Sequence, residues 1–324
     1  VAVYTPLAAE DLAALIDAYD VGALVSAKGI AEGVSNSNWL VETAGADGAG
    51  ARFILTMYER RIDLGELPFF LGLLDYLSAR GCPVPRTIHD RDGNASRDLA
   101  GKTVALIEFL PGISVDRPTA AQARSVGAAL AGVHLAARDF PLSRANALGI
   151  AASHAALARC GAASLEGIAA GLSEAITRAA ALRDRWPETL PRSVCHTDLF
   201  PDNVLMRGER VAGMIDFYFA CNEAMAYDLA VTHAAWSFAR DGSAFHADVG
   251  RALVEGYESV RPLTAPERRA LPLLAEGACL RFVASRAEDW LEGPPGALVE
   301  RKDPMAFMRR LHFYAGAGED PFHA

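Results

Sequence analysis

One short stretch sets a base and two oxygen donors at fixed spacing: Val194-Cys-His-Thr-Asp-Leu-Phe-Pro-Asp-Asn-Val-Leu-Met206, continuing through Arg207-Gly-Glu-Arg210 to Val211-Ala-Gly-Met-Ile-Asp-Phe217. Asp198 follows His196 by two positions, Asn203 follows Asp198 by five, and Asp216 follows it by eighteen. Asn203 to Met206 reads as a short strand, Arg207 to Arg210 as a turn, and Val211 to Ile215 as the returning strand. A hairpin of that length brings Asp216 back beside Asn203. A carboxylate that accepts an alcohol proton, next to a carboxamide and a second carboxylate that hold a divalent cation, is the set required to move a phosphoryl group from magnesium-bound ATP to a hydroxyl. Turn and cap roles account for these polar residues singly but not for their joint spacing. Asp198 is therefore the candidate base, Asn203 and Asp216 are the candidate magnesium ligands, and His196 is placed to fix the loop.

Such chemistry needs a phosphate cradle upstream. Lys28-Gly-Ile-Ala-Glu-Gly-Val-Ser-Asn-Ser-Asn38 reads as a turn leading into a strand, Trp39-Leu-Val-Glu-Thr43, with Phe53-Ile-Leu-Thr-Met-Tyr58 as its partner. Small residues at Gly33, Ser35 and Ser37 let backbone N–H groups approach phosphates, and Ser35 or Asn36 can add side-chain donors. Turns of this composition also join ordinary strands, so the cradle gains its meaning from the stretch downstream. Val104 to Leu110 is an apolar strand ending at Pro111-Gly112. That ending suits a hinge in which the backbone of Glu108, Phe109 and Leu110 meets an adenine edge, though a buried strand serves equally.

The chain has 324 residues, 51% of them apolar, enough to bury one large or two ordinary cores. A net charge of −9 argues against nucleic acid and anionic membranes as partners. No apolar run reaches the length of a membrane span, and the first residues lack the pattern of a signal peptide. Cys82, Cys160, Cys195, Cys221 and Cys279 are odd in number and never spaced Cys-x-x-Cys, which points to free thiols in a reducing cytoplasm.

The remaining elements are expected as follows. Leu12, Leu15, Ile16 and Tyr19 after Thr5-Pro6 give an amphipathic helix, and 67–79 a second. Asp90-Arg-Asp-Gly-Asn94 marks a turn. From Pro118 the pattern is helical: 119–138 carries His134 as a hydrogen-bonded core histidine, 151–185 is alanine-rich, and Ala226-Tyr-Asp-Leu-Ala230 opens a helix on which Asp228 caps or holds nearby backbone. Thr264-Ala-Pro-Glu267 is a capping box that starts a helix, and 277–291 forms a later one with Arg281, Ser285 and Asp289 along one face.

With these residues laid out, the chain resembles the kinase-like phosphotransferases of the aminoglycoside-phosphotransferase and choline-kinase superfamily, and within it the bacterial homoserine kinases. The resemblance runs over nearly the whole chain. It is carried by 29–38, Leu67-Pro-Phe-Phe-Leu-Gly72, Ala145-Asn-Ala-Leu148, His196-Thr-Asp-Leu-Phe-Pro-Asp-Asn203, Ile215-Asp-Phe-Tyr-Phe-Ala-Cys-Asn222, Ala226-Tyr-Asp-Leu-Ala230 and Pro294-Pro-Gly-Ala-Leu298. It implies an α+β, bilobal protein-kinase-like fold: a small antiparallel-sheet lobe over 1–110, a hinge near 108–112, and a larger, mainly helical lobe over 111–324. It also implies transfer of the ATP γ-phosphate to the hydroxyl of L-homoserine, a step of threonine biosynthesis, with Mg2+. One position departs from the wider kinase pattern: the third strand carries Thr56 where a lysine would reach the phosphates, and Lys28, Arg60 or Arg61 are candidates to compensate, with Glu66 as a candidate acidic partner.

A homoserine site must pair a carboxylate and an ammonium. Arg281 or Arg286 suits the first and Tyr218, Asn222 or Asp289 the second, although both arginines equally suit a solvated helix face. Two alternatives stand beside this reading: a kinase of another small alcohol (an aminoglycoside, choline or a sugar) and a nucleotide-binding pseudokinase. No dense acidic cleft or aromatic cage is evident for a polycation or choline, and the intact Asp198, Asn203 and Asp216 weigh against a pseudokinase.

Overall fold

Leu12, Leu15 and Ile16 recur at helical spacing and form the buried face of α1 (Ala9–Ile16). The computed structural model describes residues 7–30, 36–59, 63–292 and 301–323. The cap expected at Thr5-Pro6 and the stretch Pro294 to Leu298 therefore lie outside the described residues. The chain divides into two compact units, Val1–Pro111 and Gly112–Ala324.

In the first unit, β1 (Ala23–Ile30), β2 (Asn36–Ala44) and β3 (Gly50–Tyr58) precede α2 (Leu67–Ser78). Then come β4 (Thr87–Ile88), β5 (Arg97–Leu99) and β6 (Lys102–Glu108). The sheet runs β1-β2-β3-β6-β4 with β5 also on β6, and every pairing is antiparallel. Period-two alternation sends Trp39 and Val41 of β2, Leu55 and Met57 of β3, and Val104 and Leu106 of β6 into one core with Leu12, Leu15, Ile16 and Tyr19. Burial of each such side chain contributes about 1.5–3 kcal/mol. Behind Pro68, α2 buries Leu67, Phe69, Phe70, Leu71, Leu73, Leu74 and Leu77. The Asp90–Asn94 turn closes on the Asp90 carboxylate, which accepts from the backbone of Asp92 and Asn94 and from the Arg97 guanidinium. Hydrogen bonds from Asn94 above all hold that carboxyl down at about 2.

β1 is a difference from the sequence reading, which placed a turn over part of it. It is exposed along almost its whole length, so neither face shows the apolar alternation that marks a strand. Backbone pairing with β2, Lys28 opposite Leu40 and Ile30 opposite Asn38, makes it one.

The second unit is helical around two small two-stranded antiparallel sheets. It comprises α3 (Ala120–Ala136), α4 (Ile150–Cys160), α5 (Ala162–Ile168), α6 (Glu174–Arg183), β7 (Arg192–Cys195), β8 (Val204–Arg207), β9 (Arg210–Met214), β10 (Cys221–Ala224), α7 (Met225–Trp236), α8 (Ala247–Glu258), α9 (Ala265–Glu292) and α10 (Met305–Ala317). β7 pairs with β10, and β8 with β9 forms a hairpin. Thr119 and Gln122 form a capping box on α3. All twelve residues of α7 are buried, which makes it the axis of the unit. α3 and α8 cross so closely that a Cβ on Gly127 would sit 2.0 Å from the Leu253 carbonyl oxygen, and one on Gly256 2.0 Å from that of Arg124. The two helices expected over 264–291 are one, α9, with Pro272 inside it. Proline removes one backbone donor, and packing of α9 on α7, α4 and α10 carries the helix through it.

Candidate active site

The hairpin β8–β9 forms as the spacing requires. Val204 pairs with Met214, and Gly208 at φ +63° makes the turn. The Ile215 N–H donates to the Asn203 carbonyl at 3.0 Å, which brings Asp216 beside Asn203. Asn203 donates Nδ2 to the Asp198 carbonyl at 2.8 Å. That bond orients the amide, leaving Oδ1 as an acceptor with no donor among the described residues.

His196 ties the two halves together. Its Nδ1 accepts from the Asp198 N–H at 3.2 Å, and its Nε2 lies 2.9 Å from the Ile215 carbonyl. A backbone N–H can only donate and a carbonyl only accept, so the ring is neutral with its proton on Nε2. Burial holds its pKa below the usual histidine range, which agrees. One imidazole thus fixes the residue before Asp216 and the backbone of Asp198 at once, and its ring packs on Phe217.

Two residues of the site have left-handed backbone, Thr197 at φ 60° and Asp216 at φ 65°. For a β-branched threonine this costs on the order of 1–3 kcal/mol, and every polar group of Thr197 is engaged against it. Its N–H donates to Asp228 at 2.7 Å, its hydroxyl to the Phe219 carbonyl at 3.0 Å, and its carbonyl accepts from Arg281 Nη1.

Asp228 is the buried anchor. Its Oδ2 accepts the His196 N–H at 2.7 Å, and His134 Nε2 lies 2.9 Å from the same oxygen. Burial raises its pKa, but the His134 bond foremost outweighs this and leaves the carboxyl below its ordinary value. His134 is fully buried, with Nδ1 on the Tyr257 hydroxyl at 2.8 Å. Cys195 stands in the same cluster, but both imidazole nitrogens of His134 are already engaged, so it is the expected core histidine.

The charges converge on a small area. Asp198 is about 18% exposed and lies 3.6 Å from the buried Arg281 guanidinium. Desolvation raises the Asp198 pKa, against Arg281. Asp216 is open to water, yet partial desolvation first, then Asp198 and Asp202, push it up to about 7. Two hard oxygen donors, Asn203 Oδ1 and the Asp216 carboxyl that its acidic neighbours destabilise, fit a small divalent cation.

The other expected residues divide. Glu108 directs its N–H to the Arg86 carbonyl and accepts the Arg86 N–H on its carboxylate, which leaves its own carbonyl and the backbone of half-buried Phe109 and Leu110 at the end of the first unit for the adenine role. Gly33 and Ser35 lie outside the described residues. Ser37 is buried and donates to Glu59 at 2.7 Å, while Asn36 keeps a buried Oδ1 without a donor among the described residues. Thr56 donates to Asn38 Oδ1 at 2.8 Å, Lys102 pairs with Glu59, and Lys28 is exposed. Arg60 and Arg61 lie outside the described residues, and Glu66 stands immediately before α2.

In the second unit, Asn222 spends its Oδ1 on the Arg144 N–H at 2.8 Å, which holds the loop carrying Asn146, itself bonded to Glu223. Tyr218 is half-buried beside Phe217, and Asp289 is exposed on α9. Arg281 is turned into the 197–198 loop. Arg286 donates to the Asp303 carbonyl at 2.8 Å and lies over the Phe307 ring. Asp228 holds the nearby backbone of His196 and Thr197, as its place at the start of α7 suggested; Lys302, whose charge lowers the pKa of both Asp198 and Asp216, is the residue that sequence reasoning missed. Asp228 follows Asp216 by twelve residues and was marked by the opening of α7, whereas nothing local marked Lys302.

A family model described as the phosphotransferase enzyme family matches residues 26–263. The chain belongs to that family. Within it, the chain is 46% identical over 314 residues to the homoserine kinase of Xanthobacter autotrophicus, covering 97% of this chain and 96% of the relative. It is 50% identical over 311 residues to that of Phenylobacterium zucineum, covering 96% and 94%. The structure of a spectinomycin phosphotransferase in complex with ADP and spectinomycin has the same fold, at a TM-score of 0.72 and 14% identity over 98% of this chain and 100% of that one. The chain is thus an α+β protein of kinase-like fold. Among the described residues no helix is long and apolar enough to cross a membrane.

Proposed function

We infer that this chain is a homoserine kinase: it phosphorylates the side-chain hydroxyl of L-homoserine with ATP, giving O-phospho-L-homoserine on the route to threonine. The observation that carries this is identity of 46–50% to homoserine kinases over almost the whole of both chains. Free thiols fit the reducing cytoplasm as its compartment.

The residue roles follow from the chemistry each group can do. Asp198 orients the acceptor hydroxyl and takes its proton. A carboxyl with a raised pKa is a better base near neutrality, and Arg281 keeps it ionised before the proton arrives. Asn203 Oδ1 and the Asp216 carboxylate would hold Mg2+. When bound, the ion neutralises the charge of the β- and γ-phosphates. His196 keeps the two sites in register as a neutral bridge, so proton uptake at Asp198 need not move the metal ligands. Phosphate cover is assigned to the backbone of 33–37, and adenine contact to the backbone of Glu108, Phe109 and Leu110. Tyr218, two residues after Asp216, is assigned to the acceptor.

The test is coupled ADP release with a panel of acceptors: L-homoserine, choline, a hexose and an aminoglycoside. Turnover with L-homoserine that exceeds the others is the expected result. ADP release that prefers one of the others would replace the acceptor, and ATP binding without release to any acceptor would replace the enzyme by a binding module.

A further inference from the structure

An acceptor that bears an α-carboxylate brings a negative charge into a place already crowded with Asp198, Asp202 and Asp216. A counter-charge is therefore required, and the arginines nearby are committed. Arg281 is buried, bonded to the Thr197 carbonyl and paired with Asp198. Arg310 is buried and gives its guanidinium to the carbonyls of Ala234, Ala239 and Arg240. Arg286 is bonded to the Asp303 carbonyl and stacked on Phe307, and desolvation pushes its pKa down to about 10.

Lys302 differs from all three. It is exposed, and among the described residues it makes no hydrogen bond or ion pair. Its backbone is nevertheless firmly placed. The next residue, Asp303, accepts from Arg286 through its carbonyl and from the Met305 N–H through its carboxylate, which starts α10. One turn on, Phe307 packs against Phe282 of α9 at 4.6 Å and against Phe200 at 6.0 Å between ring centroids. Phe200 lies in the loop between Asp198 and Asn203. The α10 entrance is thereby locked to the reaction loop, with a flexible lysine stem projecting from it. The ammonium is close enough for its charge to act on Asp198 and Asp216 together.

We propose that Lys302 binds the α-carboxylate of the acceptor and so selects an amino-acid alcohol over an amino alcohol of the same skeleton. This rests on L-homoserine being the acceptor. It makes Lys302 a specificity residue contributed from beyond the family-model match, which ends at residue 263.

The experiment compares kcat and KM for L-homoserine and for 3-aminopropan-1-ol, which is homoserine without its carboxylate, in the native enzyme and in Lys302→Met, Lys302→Arg and Arg286→Met. Where 3-aminopropan-1-ol turns over too slowly, its competition against L-homoserine is measured instead. Loss of a charge-assisted contact predicts that Lys302→Met loses roughly 10- to 100-fold in kcat/KM for L-homoserine. The loss should lie in KM, with 3-aminopropan-1-ol and ATP unaffected, and Lys302→Arg should recover most of it. An equal loss on both acceptors, or none on either, overturns the proposal while leaving the acceptor reading intact. A selective loss in Arg286→Met with none in Lys302→Met assigns the carboxylate to Arg286 and also overturns it. A native enzyme inactive on L-homoserine overturns both readings.

Discussion

The geometry at Asp198 sets its own demand on a substitution. Asn at this position keeps the shape and the backbone bond to His196 but cannot accept a proton. Asp198→Asn should therefore lower kcat by about 10²- to 10⁴-fold, with KM for ATP little changed and the fold intact. Steady-state kinetics beside circular dichroism checks this, and near-normal turnover would remove Asp198 from the base role. Asp198, Asn203 and Asp216 were readable from sequence because a single loop and hairpin carry all three, so spacing alone fixed their proximity. Arg281 was readable as a residue but not in its orientation. Helical periodicity puts it on a face of α9 and does not reveal that the Thr197 carbonyl, exposed by a left-handed backbone, draws the guanidinium inward. Lys302 has no local signature, because what singles it out is that it has no partner among the described residues.

Among the elements, the anchoring of the reaction loop runs through several helices in one direction. Glu267, the cap of α9, accepts from Arg261 at 2.7 Å, and Arg261 Nη1 donates to the Tyr257 hydroxyl at 3.3 Å. An arginine can only donate, so Tyr257 passes its proton toward His134 Nδ1, and His134 presents Nε2–H to Asp228. Asp228 is then a pure acceptor for His134, His196 and Thr197. Asp228→Asn replaces one acceptor oxygen by a donor facing an N–H. A loss of about 3–5 kcal/mol is expected in urea unfolding, together with reduced kcat; unchanged stability would show that water or a shifted loop replaces the anchor. Helix contacts give a second, sharper comparison. Helix propensity favours alanine over glycine by about 1 kcal/mol, but a Cβ on Gly256 would stand 2.0 Å from a backbone oxygen of α3. Overpacking of that kind costs about 1–3 kcal/mol, so Gly256→Ala should destabilise. Gly132→Ala, in α3 with nothing within 4 Å of its Cβ, should stabilise. Equal effects at the two positions would deny the close crossing. Helical periodicity made α2 and α3 legible, with their ends within a residue or two, and the start of α7 was placed within one residue. β1 escaped because its exposure erases the alternation, β4 and β5 are too short to pattern, and Pro272 split the reading of α9 because local propensity opposes what tertiary packing enforces.

For the molecule as a whole, a divalent cation held at the acidic site would make stability, pH and metal one coupled quantity. The carboxyl of Asp216 rises from an unfolded value of 3.8 to about 7 in the fold. A group raised on folding favours the fold while protonated, so its contribution is fully present below pH 4. It is lost as pH climbs through 7, where the carboxylate becomes charged next to Asp198 and Asp202. A divalent cation binds only the charged form, so its affinity should rise about tenfold per pH unit up to 7 and level off above. The thermal shift produced by Mg2+ should therefore be small at pH 5 and full at pH 8. Asn mimics the protonated carboxyl, so Asp216→Asn should unfold near the native temperature at pH 4 and gain on it progressively between pH 4 and 7. At pH 8 without metal it should be more stable than the native protein and gain nothing from Mg2+. Other carboxylates, such as Asp90, whose pKa is lowered by its hydrogen bonds, weaken the fold in acid instead, so the quantity to follow is the difference between native and Asp216→Asn across the pH range. A difference that does not change between pH 5 and 8, or a Mg2+ shift of equal size at both, would mean that Asp216 is not the group through which metal and fold are linked.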